Sequence, residues 1–130
     1  MIRALDRGVG RVMEALKANG LDENTLVIFT SDNGGAGYIG LPDINAPYRG
    51  WKSILFEGGI RVPFLACWPL RLPASEIVDA PVHHIDLCAT AAAADLPTDR
   101  IMDGVDLTPY VIPNATGIAH TPERIDIPHK

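Results

Sequence analysis

Apolar residues recur every three or four positions at the start of the chain, and this spacing predicts a helix with one buried face. We expect the helix to end at Asn19-Gly20, because both residues tolerate the left-handed conformation that is common at helix C-termini. The apolar face consists of Ile2, Leu5, Val9, Val12, Met13 and Leu16.

The apolar pattern then changes to continuous β-rich runs. TLVIFT at residues 25–30 has no polar alternation, which predicts a strand covered on both faces. A second buried strand is predicted within residues 61–68, where Pro63 indicates either an edge strand or a start after the proline. A helix followed by buried strands predicts an α/β fold.

Glycine and proline divide the rest of the chain. They predict a loop over residues 31–50, and a loop of that length inside a compact domain is usually functional or mobile. IDLCATAAAADL at residues 85–96 predicts a second main helix, and residues 111–130 predict an irregular or disordered tail. We expect the second helix to pack through Ile85, Leu87, Cys88, Ala92 and Leu96.

Charge and composition narrow the function classes. The 130 residues include 16 acidic and 11 basic ones, for a formal net charge of −5, so neither nucleic acid nor a membrane is an expected partner. The apolar runs are far shorter than the ~20 residues that a membrane span needs. The first ten residues lack a secretory signal, which indicates a cytoplasmic chain or a missing beginning. Cys67 and Cys88 are expected to be buried free thiols.

Candidate chemistry follows the first strand. Asp32 and Asn33 lie in TSDNGG, directly after the predicted strand. In an open α/β sheet, ligands bind just outside the carboxyl ends of the strands. A carboxylate beside an amide carbonyl offers hard oxygens suited to Ca²⁺ or Mg²⁺. Residues 32–35, Asp-Asn-Gly-Gly, are also typical of an ordinary turn.

The sequence on both sides of this turn gives a more specific indication of function. Two stretches, LDENTLVIFTSDNGG and YRGWKSILFEGGIRVP, resemble the sulfatase family of the alkaline-phosphatase-like superfamily. The resemblance extends to the upstream helix and to the downstream DAPV, IDL and DGVDL segments. The resemblance covers residues 1–110 in unbroken order and only the later part of the family's catalytic domain. It implies a partial alkaline-phosphatase-like fold with mostly parallel strands flanked by helices.

The resemblance also assigns roles residue by residue. Asp32 and Asn33 match the adjacent family residues that ligate the divalent cation, usually Ca²⁺, and Lys52 matches the lysine that contacts the sulfate group. The implied reaction of a complete enzyme is hydrolysis of a sulfate monoester by a formylglycine nucleophile. The formylglycine is expected in an N-terminal part that this chain lacks, so the chain alone is expected to be inactive and to bind calcium weakly.

Other interpretations stay open. One is a phosphatase or phosphotransferase of the same superfamily, although relatives that act on phosphate esters often have histidine where this chain has Asn33. Another is a non-catalytic fragment, or a chain that pairs with a separately encoded N-terminal half. The resemblance places Met1 inside a helix, which predicts a fragment or a partial reading frame. Complete family members are often exported.

Three further features carry less weight. Cys67-Trp68-Pro69-Leu70-Arg71 fits the C-x-P-x-R pattern of formylglycine formation, but it follows the cation and sulfate residues, whereas the family's nucleophile precedes them. We therefore expect no formylglycine at Cys67. His83-His84 is expected at a helix start or on the surface, and Glu57 and Arg61 are expected to form a structural ion pair.

Overall fold

The computed structural model describes residues 1–92 and 102–111. The chain divides into two compact units, of which the first is Met1–Trp68 and the second begins at Pro69. The candidate chemistry lies in the first unit. In chain order the elements are α1 (Ile2–Ala18), β1 (Val27–Thr30), a short 3-10 helix (Gly37–Ile39), α2 (Glu57–Ile60), β2 (Phe64–Cys67), α3 (Ile85–Ala92) and α4 (Thr108–Val111).

Helix α1 confirms the predicted helix but not its predicted burial. No residue of α1 is buried, and on the apolar face Ile2 is 82% and Leu5 56% exposed. A helix buries its apolar face only where another element covers it, and within residues 1–92 and 102–111 extensive packing between elements is confined to β1 and β2. Val9, Met13 and Leu16 on the same face are half-buried, so the face is covered only in part.

The end of α1 matches the prediction at one of its two residues. Gly20 has a left-handed φ of +66°, which glycine adopts without steric cost. Asn19 instead has φ −99° and closes the helix through its side chain, since its Nδ2 donates to the carbonyl oxygen of Ala15 at 2.8 Å.

The two predicted strands pair with each other, antiparallel, with Val27 opposite Cys67 and Thr30 opposite Phe64. The mostly parallel arrangement is therefore not seen among the described strands. Strand β2 begins after Pro63, the second of the two predicted alternatives. Neither strand is covered on both faces as predicted, because β1 is half-buried apart from an exposed Phe29 and β2 is largely exposed.

The second unit has a small core around α3. The predicted helix is confirmed over Ile85–Ala92, and residues 93–96 lie outside the described part. Its predicted packing is wrong at Ile85 and Cys88, which are exposed, whereas Ala89 is buried with Leu107. The helix buries the side that meets the chain around Leu107, and that side differs from the one that apolarity alone selects.

A buried carboxylate organises this core. Asp86 is 7% exposed and accepts hydrogen bonds from the backbone N–H groups of His83 at 2.7 Å and Val105 at 3.0 Å. Thr90 Oγ1 accepts a hydrogen bond from the N–H of Leu107 at 3.0 Å. These bonds satisfy the start of α3 and attach the segment before α4 to it.

Three other predictions meet the structure here. Cys67 and Cys88 are free but exposed, so their predicted burial is wrong, and the reason is the open surface of the elements that carry them. None of the helices within the described residues has the length and apolar character to cross a membrane. The predicted tail lies, beyond residue 111, outside the described residues.

Candidate functional site

The candidate cation ligands lie in the turn that follows β1. Asp32 is exposed and Asn33 is half-buried. The Asn33 N–H donates to Asp32 Oδ1 at 3.0 Å, and Ser31 Oγ donates to the Asn33 carbonyl oxygen at 3.1 Å. The sequence Ser-Asp-Asn therefore folds into a side-chain-stabilised turn, as its residue types favour.

Close backbone contacts hold this turn against α2. The Gly34 N–H donates to the Gly59 carbonyl oxygen at 2.9 Å, and the Gly58 N–H donates to the Arg49 carbonyl oxygen at 2.8 Å. A Cβ atom at Gly34 would collide with the carbonyl group of Gly58. Three chain segments therefore meet where no side chain fits, and we call the contacts among Gly34, Gly35, Gly50, Gly58 and Gly59 the glycine junction.

The glycine junction also brings Lys52 to the turn. The Lys52 N–H donates to the Gly35 carbonyl oxygen at 3.1 Å, two residues after Asn33. The Lys52 side chain is exposed. The three residues predicted as the site, Asp32, Asn33 and Lys52, are thus connected through Gly35, although Lys52 follows Asn33 by 19 positions in the sequence.

Sequence reasoning missed Asn45, which joins the two sides of the site. Its Oδ1 accepts from the Gly35 N–H at 2.7 Å, and its Nδ2 donates to the carbonyl oxygens of Gly35 and Gly50, each at 3.0 Å. An asparagine among prolines and glycines is typical of a turn former. The sequence therefore carries no separate signal for this role.

Aromatic rings support the segments around the junction. The Arg49 guanidinium lies 4.3 Å from the centre of the Phe56 ring, and that of Arg61 lies 4.6 Å from the centre of the Tyr48 ring. Arg61 also pairs with Glu57 at 3.1 Å, which confirms the predicted ion pair. Both partners of that pair are more than half exposed, so its contribution to stability is small.

The donor atoms suit a hard cation in kind. Asp32 and Asn33 provide carboxylate and amide oxygens, the ligands that Ca²⁺ and Mg²⁺ prefer, whereas Ca²⁺ takes 6–8 oxygens. No group of three or more histidine, cysteine, aspartate or glutamate side chains suited to a metal occurs among residues 1–92 and 102–111. These two residues fit part of a calcium shell.

Cys67 lies at the other end of the strand pair. The register places Cys67 opposite Val27, while Thr30, at the end nearest Asp32, is opposite Phe64. Three residues of antiparallel strand separate the two ends by about 10 Å. Cys67 therefore lies away from the candidate ligands, and the expectation that it is not the nucleophile stays a prediction.

His83 and His84 are both exposed. His83 lies at the start of α3, where its Nδ1 accepts a hydrogen bond from the Ile85 N–H at 3.2 Å. The helix-start prediction is confirmed for His83, and surface exposure is confirmed for both.

The class of protein follows from comparison with known families and structures. The Sulfatase family model matches residues 1–94. A crystal structure of Ps i-CgsB in complex with k-i-k-neocarrahexaose superposes with a TM-score of 0.75 and 42% sequence identity, covering 84% of this chain and 24% of that one. The chain therefore has part of an α/β fold of the alkaline-phosphatase-like kind.

Curated relatives agree with the family model. The chain is 38% identical to N-acetylgalactosamine-6-sulfatase of Canis lupus familiaris over 117 residues, which are 85% of this chain and 22% of the relative. It is 39% identical to steryl-sulfatase of Mus musculus over 128 residues, 92% of this chain and 20% of the relative. The chain belongs to the sulfatase family, and it spans about a fifth of the length of these relatives.

Proposed function

We propose that this chain forms the part of a sulfatase catalytic domain that supplies two cation ligands, Asp32 and Asn33, and one sulfate-binding cation, Lys52. The hydrogen bond from the Lys52 N–H to the Gly35 carbonyl oxygen is the observation that carries the proposal. It anchors the backbone of the candidate sulfate-binding residue beside the turn that holds the candidate ligands.

The side chains suit complementary tasks. The oxygens of Asp32 and Asn33 would hold Ca²⁺, or alternatively Mg²⁺, and the cation would polarise the sulfate group and offset its negative charge. The exposed Lys52 ammonium can donate to sulfate oxygens and stabilise charge that develops on the leaving oxygen. The whole enzyme would hydrolyse a sulfate monoester, with the formylglycine supplied outside these residues.

The cation role is tested with Mn²⁺, a paramagnetic ion that accepts the same oxygen ligands. We expect Mn²⁺ to broaden the amide NMR signals of residues 31–34 in the 130-residue chain, and Asp32→Ala to abolish this broadening. Asp43→Asn, which changes an exposed carboxylate in the same loop, is the matched control. Equal broadening in the Asp32→Ala variant would refute ligation by Asp32.

The chain alone is expected to bind Ca²⁺ weakly and to hydrolyse no aryl sulfate. Two protein ligands leave most of the calcium shell to water, so we expect a dissociation constant weaker than about 10⁻³ M, the weak end of natural calcium sites. Calorimetry that detects a tight calcium site, or turnover of an aryl sulfate, would contradict this expectation. A tryptic peptide with an unmodified Cys67 thiol is expected by mass spectrometry.

The same superfamily includes enzymes that act on phosphate esters, and substrate turnover separates the two classes. If the DNA upstream of Met1 encodes an in-frame C-x-P-x-R, the longer protein is expected to hydrolyse sulfate esters in preference to phosphate esters. Preference for phosphate esters would favour the phosphatase or phosphotransferase alternative.

The exposed apolar residues of α1 favour a second arrangement, in which a separately encoded N-terminal half pairs with this chain. Ile2, Leu5 and Val12 are each more than half exposed, and such contiguous apolar surface is typical of an interface. Co-expression with the N-terminal part of a sulfatase tests this pairing. Co-purification that Leu5→Glu abolishes would support pairing, and a soluble monomer in the presence of that part would contradict it.

A further inference from the structure

The side chain of Asn45 connects the two halves of the candidate site. Its amide accepts one hydrogen bond and donates two, and all three partners belong to the backbone of Gly35 or Gly50. Gly35 is two residues after Asn33, and Gly50 is two residues before Lys52. One planar group therefore spans the segment that carries the cation ligands and the segment that carries the lysine.

The Gly35 carbonyl oxygen is the point where these contacts converge. It accepts from Asn45 Nδ2 at 3.0 Å and from the Lys52 N–H at 3.1 Å. Both lone pairs of this oxygen are used, which fixes the direction from which the Lys52 backbone approaches. A displacement of Gly35 therefore moves Lys52 relative to Asn33.

Asparagine meets this requirement through its donor and acceptor set. Its side-chain amide carries two N–H donors and one acceptor oxygen in a short, planar group. Aspartate has the same shape but only acceptors, and it would place a carboxylate against two carbonyl oxygens. Glutamine carries the amide one methylene further from the backbone and would displace the segments it now joins.

We propose that Asn45 is a positioning residue, which sets the distance between the cation ligands Asp32 and Asn33 and the Lys52 ammonium. This role rests on the proposed function for its chemistry, whereas the link itself rests on the hydrogen bonds. All three hydrogen bonds of the Asn45 side chain go to backbone, so the role is one of position rather than of contact with cation or substrate. Asn45 acts through the backbone of Gly35 and Gly50.

The experiment compares the 130-residue chain with its Asn45→Asp variant by amide hydrogen exchange. We expect the amides of Gly35 and Lys52 to exchange at least about tenfold faster in the variant, because it loses two donated hydrogen bonds and gains repulsion. The amides of the β1–β2 ladder are expected to keep their protection. Asn19→Asp is the matched control, since Asn19 also donates from Nδ2 to a backbone carbonyl but lies at the end of α1.

A spectroscopic readout separates positioning from simple loss of order. With Mn²⁺ bound beside Asp32, the side-chain signals of Lys52 are expected to broaden in the unmodified chain and in Asn19→Asp. In Asn45→Asp the broadening at Lys52 is expected to fall by at least half, while that of residues 31–34 persists. Unchanged broadening and unchanged exchange at Lys52 would overturn the proposal.

The remaining outcomes are also decisive. If Asn45→Asp loses protection throughout the first unit, Asn45→Ser, which keeps a hydroxyl donor and acceptor, is measured next. Loss of the β1–β2 protection in that variant too would overturn the proposal, because Asn45 would then hold the entire unit. If Mn²⁺ broadens no amide near Asp32 in the unmodified chain, the cation role is wrong, and the exchange rates at Gly35 and Lys52 still decide whether Asn45 makes the link.

Discussion

Helix α1 and the glycine junction are ordered in opposite ways. α1 has 17 residues with regular apolar spacing, and none of them is buried. The glycine junction has no apolar periodicity, yet Gly58 and Gly59 are buried and the backbone groups of three segments pair across it. The pattern of side chains thus predicts a regular element, whereas the glycine junction is packed by backbone that approaches backbone.

The largest expected effect tests this difference at the junction. Gly34→Ala would force a Cβ atom into the Gly58 carbonyl group, so backbone must shift directly beside the Gly34-to-Gly59 hydrogen bond. We expect a loss of about 3 kcal/mol or more in the free energy of unfolding. Urea unfolding followed by tryptophan fluorescence measures it, because both tryptophans lie in the first unit. A loss below about 1 kcal/mol would mean that the junction is adaptable.

The second unit extends the comparison, since it too is organised by a polar group bonded to backbone. Asp86→Asn keeps the shape of the side chain but turns an amide donor toward one of the two N–H groups that the carboxylate now accepts. We expect a loss of about 1–3 kcal/mol, measured by circular dichroism during urea unfolding. Asp103→Asn, at an exposed position nearby, is the control. Equal effects of the two substitutions would show that burial of Asp86 contributes little.

In α1 the same glycine-to-alanine change should have the opposite sign. A Cβ atom at Gly8 meets nothing within 4 Å, so alanine costs no contact and restores helix propensity. We expect Gly8→Ala to raise the stability of the helix by about 0.5–1 kcal/mol, seen as increased helicity by circular dichroism. Destabilisation would reveal a contact to Gly8 that the helix geometry alone does not require.

The smallest expected effect concerns the Glu57–Arg61 pair, which adjoins the junction at the surface. Glu57→Gln removes an ion pair whose partners are more than half exposed, so we expect a loss of no more than about 1 kcal/mol. The difference from the unmodified chain should shrink as NaCl screens the pair. A larger loss that persists in salt would give Glu57 a role in the junction itself.

Sequence reasoning located most regular elements and the candidate residues, for physical reasons that also explain its failures. The spacing of Leu5, Val9 and Val12 predicts α1 correctly, because periodicity depends on the residues of one segment. Burial depends on what packs against that segment, so the predicted burial of α1, β1 and β2 was wrong. Asp32 and Asn33 were indicated by their position after a strand and by resemblance to a family, whereas Lys52 was indicated by that resemblance alone.

The way these residues are connected could not be predicted. The hydrogen bonds of Asn45 join positions that are separated in sequence by a loop without periodicity. Sequence alone also does not distinguish a glycine that packs against another backbone segment from a glycine in a turn. The antiparallel register of β1 and β2 was equally inaccessible, since a short apolar run is compatible with parallel or antiparallel neighbours.

The composition of the glycine junction bears on how such a protein can diversify. Its contacts use backbone atoms and the one amide of Asn45, while Tyr38, Ile39 and Leu41, in the loop between, are half or more exposed. Mutations at these three positions can therefore accumulate without altering the separation of Asn33 and Lys52. Natural or laboratory evolution could reshape the surface beside the candidate site while its chemistry is conserved.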